Sequence, residues 1–373
     1  MISIVLNNFV NDSRVLKEAI SLENNGYEVK VVALYEENLK EFDIQSGVHV
    51  HRVKLKTRNL SKHFLFQIIK YVEFSIKVLQ VYKKVDFIHV NDLGPLPLAV
   101  LMKILNKNIN IVYDAHEYQT EVKGLGKFRK KIMKMTEKLL IKKTDSVITV
   151  SPSIANEYVK LYNISKPKLV LNCPNYRSVK RSDLFRERFN IGEEKRIFLY
   201  QGALASGRQI ELLLESFSNL LETNAVLVIM GNGVLQELVK DYEKKYDNIF
   251  YHEAVNPEIV LDYTVSADIG FALLEDSCLN HSYALPNKFF EYIMAGLPVV
   301  TNNLPELGYM VQSNAVGWVL GDLTVNDLIK VVKKIVSDEE YMEYRKNTRE
   351  MARNYCWEKQ EKNLISAYSS DYK

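Results

Sequence analysis

Cysteine is scarce in this sequence. Cys173, Cys278 and Cys356 are the only three in 373 residues. They are odd in number, far apart and without C-x-x-C spacing, so neither a disulfide framework nor a zinc site is suggested. A reducing setting such as the cytoplasm is expected. No apolar run approaches the roughly 20 residues of a membrane-spanning helix. The opening "MISIVLNNFV" has no basic segment and runs straight into a strand pattern, so no secretory signal is expected. Repeats of solenoid period and low-complexity tracts are missing too, which excludes a repeat architecture.

What is present is the balance of a soluble globular chain, 25% charged and 47% hydrophobic. The length favours two domains. The net charge of +3 hides an asymmetry: residues 1–180 sum to +12 and 181–373 to −9, and 12 − 9 = 3. A basic half is expected to meet an anionic partner such as a membrane surface, a polyanion or a phosphorylated substrate.

Both halves alternate short β-rich runs with helical stretches. The first carries "ISIVLN", "EVKVVALY", "VHVHRVK", "DFIHVND", "NIVYDA", "SVITVS" and "KLVLNC". Several are apolar nearly throughout, as strands buried on both faces are. The pattern pauses over residues 174–196, which are polar and read as a linker with a short helix. It resumes with "IFLYQG", "AVLVIMG", "IFYHEAV", "ADIGFALL", "LPVVTN" and "GWVLG". The fold class is therefore α/β, two doubly wound Rossmann-like domains facing a cleft, with ligands expected outside the carboxyl ends of the strands.

Two strand-to-helix junctions in the second half carry cations. In "YQGALASGRQIELLLESF", Gly202 and Gly207 let backbone approach a ligand, and Arg208 stands at the mouth of the following helix. The spacing is neither a Walker loop nor G-x-G-x-x-G, and taken alone it is an ordinary turn with a surface arginine. In "ALPNKFFEYIMAGLPVV", Pro286 and Asn287 open a helix, with Asn287 read as its N-cap, and Gly296 closes it. Lys288 then lies in the first turn, where the helix dipole disfavours a cation. Glu291 follows on the same face, free to pair with it. An anion shared by Arg208 and Lys288, both expected to be solvent-exposed, would explain the placement. A pyrophosphate fits, with Glu291 holding a ribose diol. Phe289, Phe290, Tyr292, Ile293 and Met294 read as core.

Together with "VIMGNGVLQELVK" and "ADIGFALL", these junctions resemble the nucleotide-sugar half of the family-4 retaining glycosyltransferases, of GT-B fold. "NDSRVLKEAISLENNGYEVKVVA", "DFIHVND" and "VYDAHEY" resemble that family's acceptor domain, and "WEKQEKNLISAY" its final helix. The resemblance implies an acceptor domain over 1–175, a linker over 174–196, a nucleotide-sugar domain over 196–354, and a last helix, about 355–373, packed back on the first domain. It implies a nucleoside-diphosphate sugar donor, transfer with retention, and no metal or other cofactor. By that resemblance Arg208 and Lys288 stabilise the leaving diphosphate, Glu291 holds the ribose, Val255 meets the base, and Gly202 and Asn287 belong to the donor site. The family's first glutamate, eight positions before Glu291, is here Tyr283. The preceding loop offers Glu275, Asp276, Asn280 and His281 instead, and the last two are candidate sugar contacts.

In the first half, His116 of "YDAHEY" resembles the family's histidine near the reacting sugar carbon. His89, Asn91 and Asp92 end the neighbouring strand and are expected to line the same cleft. Asn11, Asp12 and Arg14 are candidate acceptor contacts, or caps for the following helix, a role that suits Asp12.

Two stretches, "KTRNLSKHFLFQIIKYVEFSIKVLQVYKK" and "KGLGKFRKKIMKMTEKLLIKK", interleave Lys and Arg with apolar residues. They read as helices able to lie on an anionic membrane, with the alternative that the apolar faces pack on the sheet. The expected partners are a UDP- or GDP-linked sugar, a glycan or lipid-linked acceptor, and an anionic membrane surface at the inner face of the cell. Nucleic acid is not expected, since no recognition motif accompanies the basic helices. The expected role is surface polysaccharide or glycolipid assembly. The competing readings are an inactive nucleotide-sugar-binding partner subunit and a nucleotide-sugar 2-epimerase.

Overall fold

The computed structural model describes residues 1–10, 12–61, 63–337 and 340–369. The chain forms two compact units, Met1–Val170 with Glu361–Lys373, and Leu171–Gln360.

The first unit is an eight-stranded sheet in the order β3-β4-β2-β1-β5-β6-β7-β8. Its strands are β1 (Ile2–Ile4), β2 (Lys30–Leu34), β3 (Phe42–Gln45), β4 (Val48–Val53), β5 (Phe87–Asn91), β6 (Asn110–Ala115), β7 (Ser146–Thr149) and β8 (Lys168–Leu169). All pairs are parallel except β3 with β4. β3 has no counterpart in the sequence reading. It is an edge strand whose Phe42 and Ile44 stay exposed, so it lacks a buried apolar run. Ser46 and Gly47, at φ 48° and 93°, make the tight turn that pairs it with β4. The helices are α1 (Ser13–Asn24), α2 (Phe64–Tyr82), α3 (Leu96–Leu105), α4 (Lys127–Leu140) and α5 (Pro152–Tyr162). The strand order reverses between β1 and β5, which marks the ligand-binding end of this sheet.

The second unit is a six-stranded parallel sheet in the order β11-β10-β9-β12-β13-β14. Its strands are β9 (Arg196–Gln201), β10 (Ala225–Met230), β11 (Ile249–His252), β12 (Ile269–Ala272), β13 (Val299–Asn302) and β14 (Gly317–Leu320). Around it lie α6 (Leu184–Phe189), α7 (Ile210–Ser218), α8 (Gln236–Glu243), α9 (Val260–Thr264), α10 (Leu279–Ser282) and α11 (Asn287–Ala295). Then come α12 (Leu307–Ser313), α13 (Val325–Val336), α14 (Glu340–Asn354) and α15 (Trp357–Ser366). Strands such as β10, six buried residues "AVLVIM", are apolar because helices cover both faces. The order reverses between β9 and β12.

Residues 174–196, read as a linker, do not stand free. Phe185 and Ile191 enter the second unit's core, and Arg186 forms a buried ion pair with Asp268 at 3.0 Å. The final helix divides: its start belongs to the second unit, and from Glu361 the chain belongs to the first. There Tyr368 stacks on His89. Among the described residues, no helix is long and apolar enough to cross a membrane.

Candidate functional site

In the second unit, the reversal between β9 and β12 places Gln201 and Gly202 at a strand end facing the start of α11. Two contacts fix that helix. The Tyr292 hydroxyl accepts from the Gln201 backbone N–H at 2.9 Å and lies 3.2 Å from the Leu199 carbonyl. The Tyr292 ring also lies over Gly270, where a Cβ would stand 2.3 Å from it, so only glycine lets the helix come this close. Asn287 is not the N-cap. Pro286, at φ −72° and ψ 149°, takes that position without a side-chain bond, because its ring fixes a non-helical cap geometry one residue earlier. Asn287 is exposed and accepts from Asn172 Nδ2 at 2.8 Å.

Lys288 departs from expectation: it is only 9% exposed. Its flanking residues pack on the sheet, and the amine is carried inward with them. Nζ sits 3.6 Å from the centroid of the Tyr200 ring and has no hydrogen-bond partner among the described residues. A Cβ on Gly202, which has φ 123°, would lie 3.6 Å from Lys288 Cε and Nζ. Burial, then the charge of Arg208, push the amine well below the usual lysine range, and Glu291 only partly offsets them. Arg208 is half-buried, just before Gln209, the left-handed N-cap of α7. The two cations therefore do converge. Glu291 accepts from Gln201 Nε2, and the Gln201 amide oxygen accepts from Thr264 Oγ1 at 2.8 Å.

The loop after β12 lies on the Gly207 turn. The Glu275 N–H donates to the Gly207 carbonyl at 3.0 Å, and a Cβ on Gly207 would lie 3.2 Å from Glu275 Oε2 and 3.5 Å from His281 Cε1. His281 Nδ1 is 3.0 Å from the Glu275 carbonyl, and Ser282 donates to Asp276. Asn280 and Tyr283 are half-buried beside them. Val255, after β11, is half-buried against the unit's core.

In the first unit, β5 and β6 end side by side and deliver Asp92 and His116. The His116 N–H donates to Asp92 Oδ1 at 3.0 Å. Its ring lies between two carboxylates, with Nδ1 3.8 Å from Asp92 and Nε2 3.5 Å from Asp114. Burial pulls the imidazole pKa down, but Asp92 and Asp114 outweigh it and raise it to about 9. Burial raises the Asp92 carboxyl to about 6 against the pull of His116.

Arg14 and His89 do not present themselves to an acceptor. Arg14 is 5% exposed and grips Asp114 at 3.0 and 2.8 Å, Glu18 at 2.9 Å and the Val170 carbonyl at 3.0 Å. His89 is 1% exposed, 3.4 Å from Glu18, with its Nδ1 against the Tyr368 hydroxyl. Arg14 is turned from α1 towards the sheet, where fully buried Asp114 requires a cation. Asn91 is likewise buried, donating to Ser3 and Ile4. Asp12 caps α1, accepting from the Val15 N–H at 3.3 Å. Asn11 lies outside the described residues. Glu18, Asp114 and His116 bring possible ligand atoms within 4.8 Å of one another. The Arg14 guanidinium already lies on both carboxylates, and a metal ion would meet that charge.

Two family profiles match the chain: "Glycosyltransferase Family 4" over residues 13–173 and "Glycosyl transferases group 1" over residues 181–355. The chain belongs to the family-4, group 1 glycosyltransferases. An uncharacterised glycosyltransferase of Methanocaldococcus jannaschii is 24% identical over 370 residues, covering 94% of this chain and 91% of that protein. WaaG, a glycosyltransferase involved in lipopolysaccharide biosynthesis, superposes with a TM-score of 0.73 at 16% identity, over 99% of this chain and 100% of that one. Anabaena HepE, in complex with UDP and glucose, superposes with a TM-score of 0.74 at 13% identity, over 99% of each chain. These likenesses are of fold, and the fold is GT-B.

In this glycosyltransferase the second unit thus presents two cations at the N-termini of α7 and α11, with a carboxylate one turn deeper. That places two basic side chains and a hydrogen-bond acceptor near one another at helix N-termini. The first unit presents the His116 imidazole, its pKa raised by Asp92 and Asp114. Sequence reading missed Tyr200, Gln201 and Thr264. The signal available was the "YQG" that ends β9: a polar residue closing a buried strand points to a neighbour needing a partner.

Proposed function

We propose that this glycosyltransferase moves a sugar, with retention, from a nucleoside diphosphate to a glycan or lipid-linked acceptor in surface polysaccharide or glycolipid assembly. UDP or GDP is the carrier. One observation supports the donor side most: a buried lysine amine without a hydrogen-bond partner among the described residues, carrying the added repulsion of Arg208. A diphosphate would offset both penalties at once. Breaking the bond from sugar to diphosphate builds negative charge on phosphate oxygens, and Arg208 and Lys288 are fixed in advance to receive it. Gly202 keeps the approach open. Glu291 takes the ribose, and Val255 meets the base. Asn280 and His281 contact the sugar in place of the glutamate replaced by Tyr283. His116 acts near the reacting sugar carbon, oriented by Asp92. No metal is required, because the side-chain cations do that work. The UDP complex of Anabaena HepE and the role of WaaG in lipopolysaccharide biosynthesis are consistent with this reading. The setting is the cytoplasmic face of a membrane.

The test is a thermal-shift panel of UDP, GDP, dTDP, ADP and CMP. A ligand at a hundred times its dissociation constant stabilises the folded state by about 2.7 kcal/mol. A shift with one diphosphate, lost in Lys288→Ala, supports the reading and names the base. No shift with any of them, from folded protein, overturns it and favours the inactive-partner reading that Tyr283 leaves open.

A further inference from the structure

Lys288 and Glu291 stand three residues apart on α11, on one face of the helix. A lysine and a glutamate so placed ordinarily pair, and burial strengthens their attraction. Here the pair is not made. Lys288 Nζ has no hydrogen-bond partner among the described residues and lies 3.6 Å from the centroid of the Tyr200 ring. The carboxylate is near enough to act on the amine: Glu291 favours its charged form, though burial and Arg208 outweigh that help.

Gln201 holds Glu291 away. It closes β9, whose residues from Ile197 to Tyr200 are buried and apolar, and it is itself 2% exposed. A polar side chain buried there needs partners. Its Nε2 donates to Glu291 Oε2, and its Oε1 lies 2.8 Å from Thr264 Oγ1. Thr264, the last residue of α9, is fully buried. The chemistry of the three groups orients them. A carboxylate accepts and does not donate, so the amide must turn its nitrogen to Glu291 and its oxygen to Thr264. The Thr264 hydroxyl has one proton and a second acceptor within reach, the Val260 carbonyl at 2.7 Å. Given to Val260, that proton would leave hydroxyl and amide oxygens facing each other as two acceptors. The proton therefore belongs to Gln201. The Gln201 backbone N–H is bonded separately, to the Tyr292 hydroxyl, so the joint between β9 and α11 does not depend on this side chain.

We propose that Gln201, oriented by Thr264, is a positioning residue that keeps Glu291 from closing onto Lys288. The amine then stays open for the diphosphate and the carboxylate for the ribose. Without the amide, rotation of two side chains on neighbouring turns would join Glu291 to Lys288. That buried ion pair would satisfy both groups and shut the site to an anion. The inference rests on the donor reading for what the two groups await. The separation itself can be measured in ligand-free protein.

The experiment follows the Lys288 amine of the full chain by NMR, through its ¹³Cε shift along a pH series, with Lys288→Met to assign the signal. The groups facing it are Tyr200 from β9, Arg208 from the turn before α7 and Glu291 from its own helix. In the wild type the amine should titrate well below the ordinary lysine range. Gln201→Met keeps the length of the side chain and removes both hydrogen-bonding groups. There the amine should titrate at least about one pH unit higher. Affinity for UDP or GDP, whichever binds the wild type, should fall at least about tenfold. Thr264→Val should move the amine in the same direction by less, and Thr264→Ser, which restores the hydroxyl, should titrate as wild type. An amine unmoved in folded Gln201→Met overturns the proposal, as does a wild-type amine already in the ordinary range. Equal shifts in Thr264→Val and Thr264→Ser would make the effect one of packing and overturn the role of Thr264. Should Gln201→Met fail to fold, the two Thr264 variants decide alone. An amine that rises in Gln201→Met, in a protein whose wild type binds no diphosphate, would leave the separation standing and remove the donor reading alone.

Discussion

The amine of Lys288 stands 3.6 Å from the centroid of the Tyr200 ring, buried and without a hydrogen-bond partner among the described residues. Such an arrangement costs folding free energy and makes sense as a site held ready. An unpartnered buried polar group costs about 1–3 kcal/mol, and the ring offsets about 1 kcal/mol of that. Lys288→Met should therefore raise the melting temperature of the unliganded protein while abolishing nucleotide-induced stabilisation and transfer. The sign also appears in pH. Because the folded pKa lies well below that of the unfolded chain, the unfolded state binds more protons between the two values. Stability should then rise with pH across that window in the wild type, and less so in Lys288→Met. Paired melts of the two proteins along a pH series decide it. A variant that is less stable than wild type would mean that the lysine is a packing residue.

His116 carries the opposite shift. Its imidazole is raised to about 9 from an ordinary 6.5. The ion pair with Asp114 should stabilise the fold fully below about 6.5 and fade as pH rises through about 9, whereas the pair with Asp92 should also weaken as pH falls through about 6. By NMR, the His116 ring should stay charged through the neutral range while exposed histidines titrate. His116→Ala should lower turnover by at least about tenfold and leave donor affinity nearly unchanged. Loss of donor affinity with unchanged turnover would move His116 to a purely structural role.

How far these features could be read without coordinates follows from the range of the interaction behind each. The parallel strands and both cation-bearing junctions were legible because apolar runs and turn residues are local signals. The edge strand β3 was not, since Phe42 and Ile44 stay exposed and its only cue is the turn at Ser46-Gly47. The pairing of Arg14 with Asp114 spans 100 positions, and nothing local announces it. Arg14 lies in the first turn of α1 and His89 in the middle of β5, and spacing could not say which way their side chains turn. Lys288 was found for its electrostatic oddity, yet its burial depends on Tyr200, which belongs to a different element.

Arg14 gives the clearest contrast between an acceptor contact and a structural one. Removing one partner of a buried ion pair costs about 3–5 kcal/mol. Arg14→Ala leaves both Asp114 and Glu18 without their guanidinium. Chemical denaturation should show a loss of that order, with the first unit melting early. A variant of wild-type stability and weakened acceptor affinity would restore the acceptor role.

Glu291 tests the proposed donor site. Its carboxylate accepts from Gln201 Nε2, and an ionised carboxylate is an acceptor at both of its oxygens. Glu291→Gln keeps the shape but replaces one acceptor oxygen by a donor group facing the Gln201 amide. Two hydroxyls that once donated to a carboxylate would meet a neutral amide instead. Titration calorimetry should show nucleoside diphosphate affinity falling by roughly tenfold, which is about 1.4 kcal/mol. The corresponding 2′-deoxynucleoside diphosphate should lose much less, because it lacks one of the two hydroxyls already. Equal losses for the two ligands would place the effect of Glu291 on the packing of α11, since a ribose contact must distinguish them.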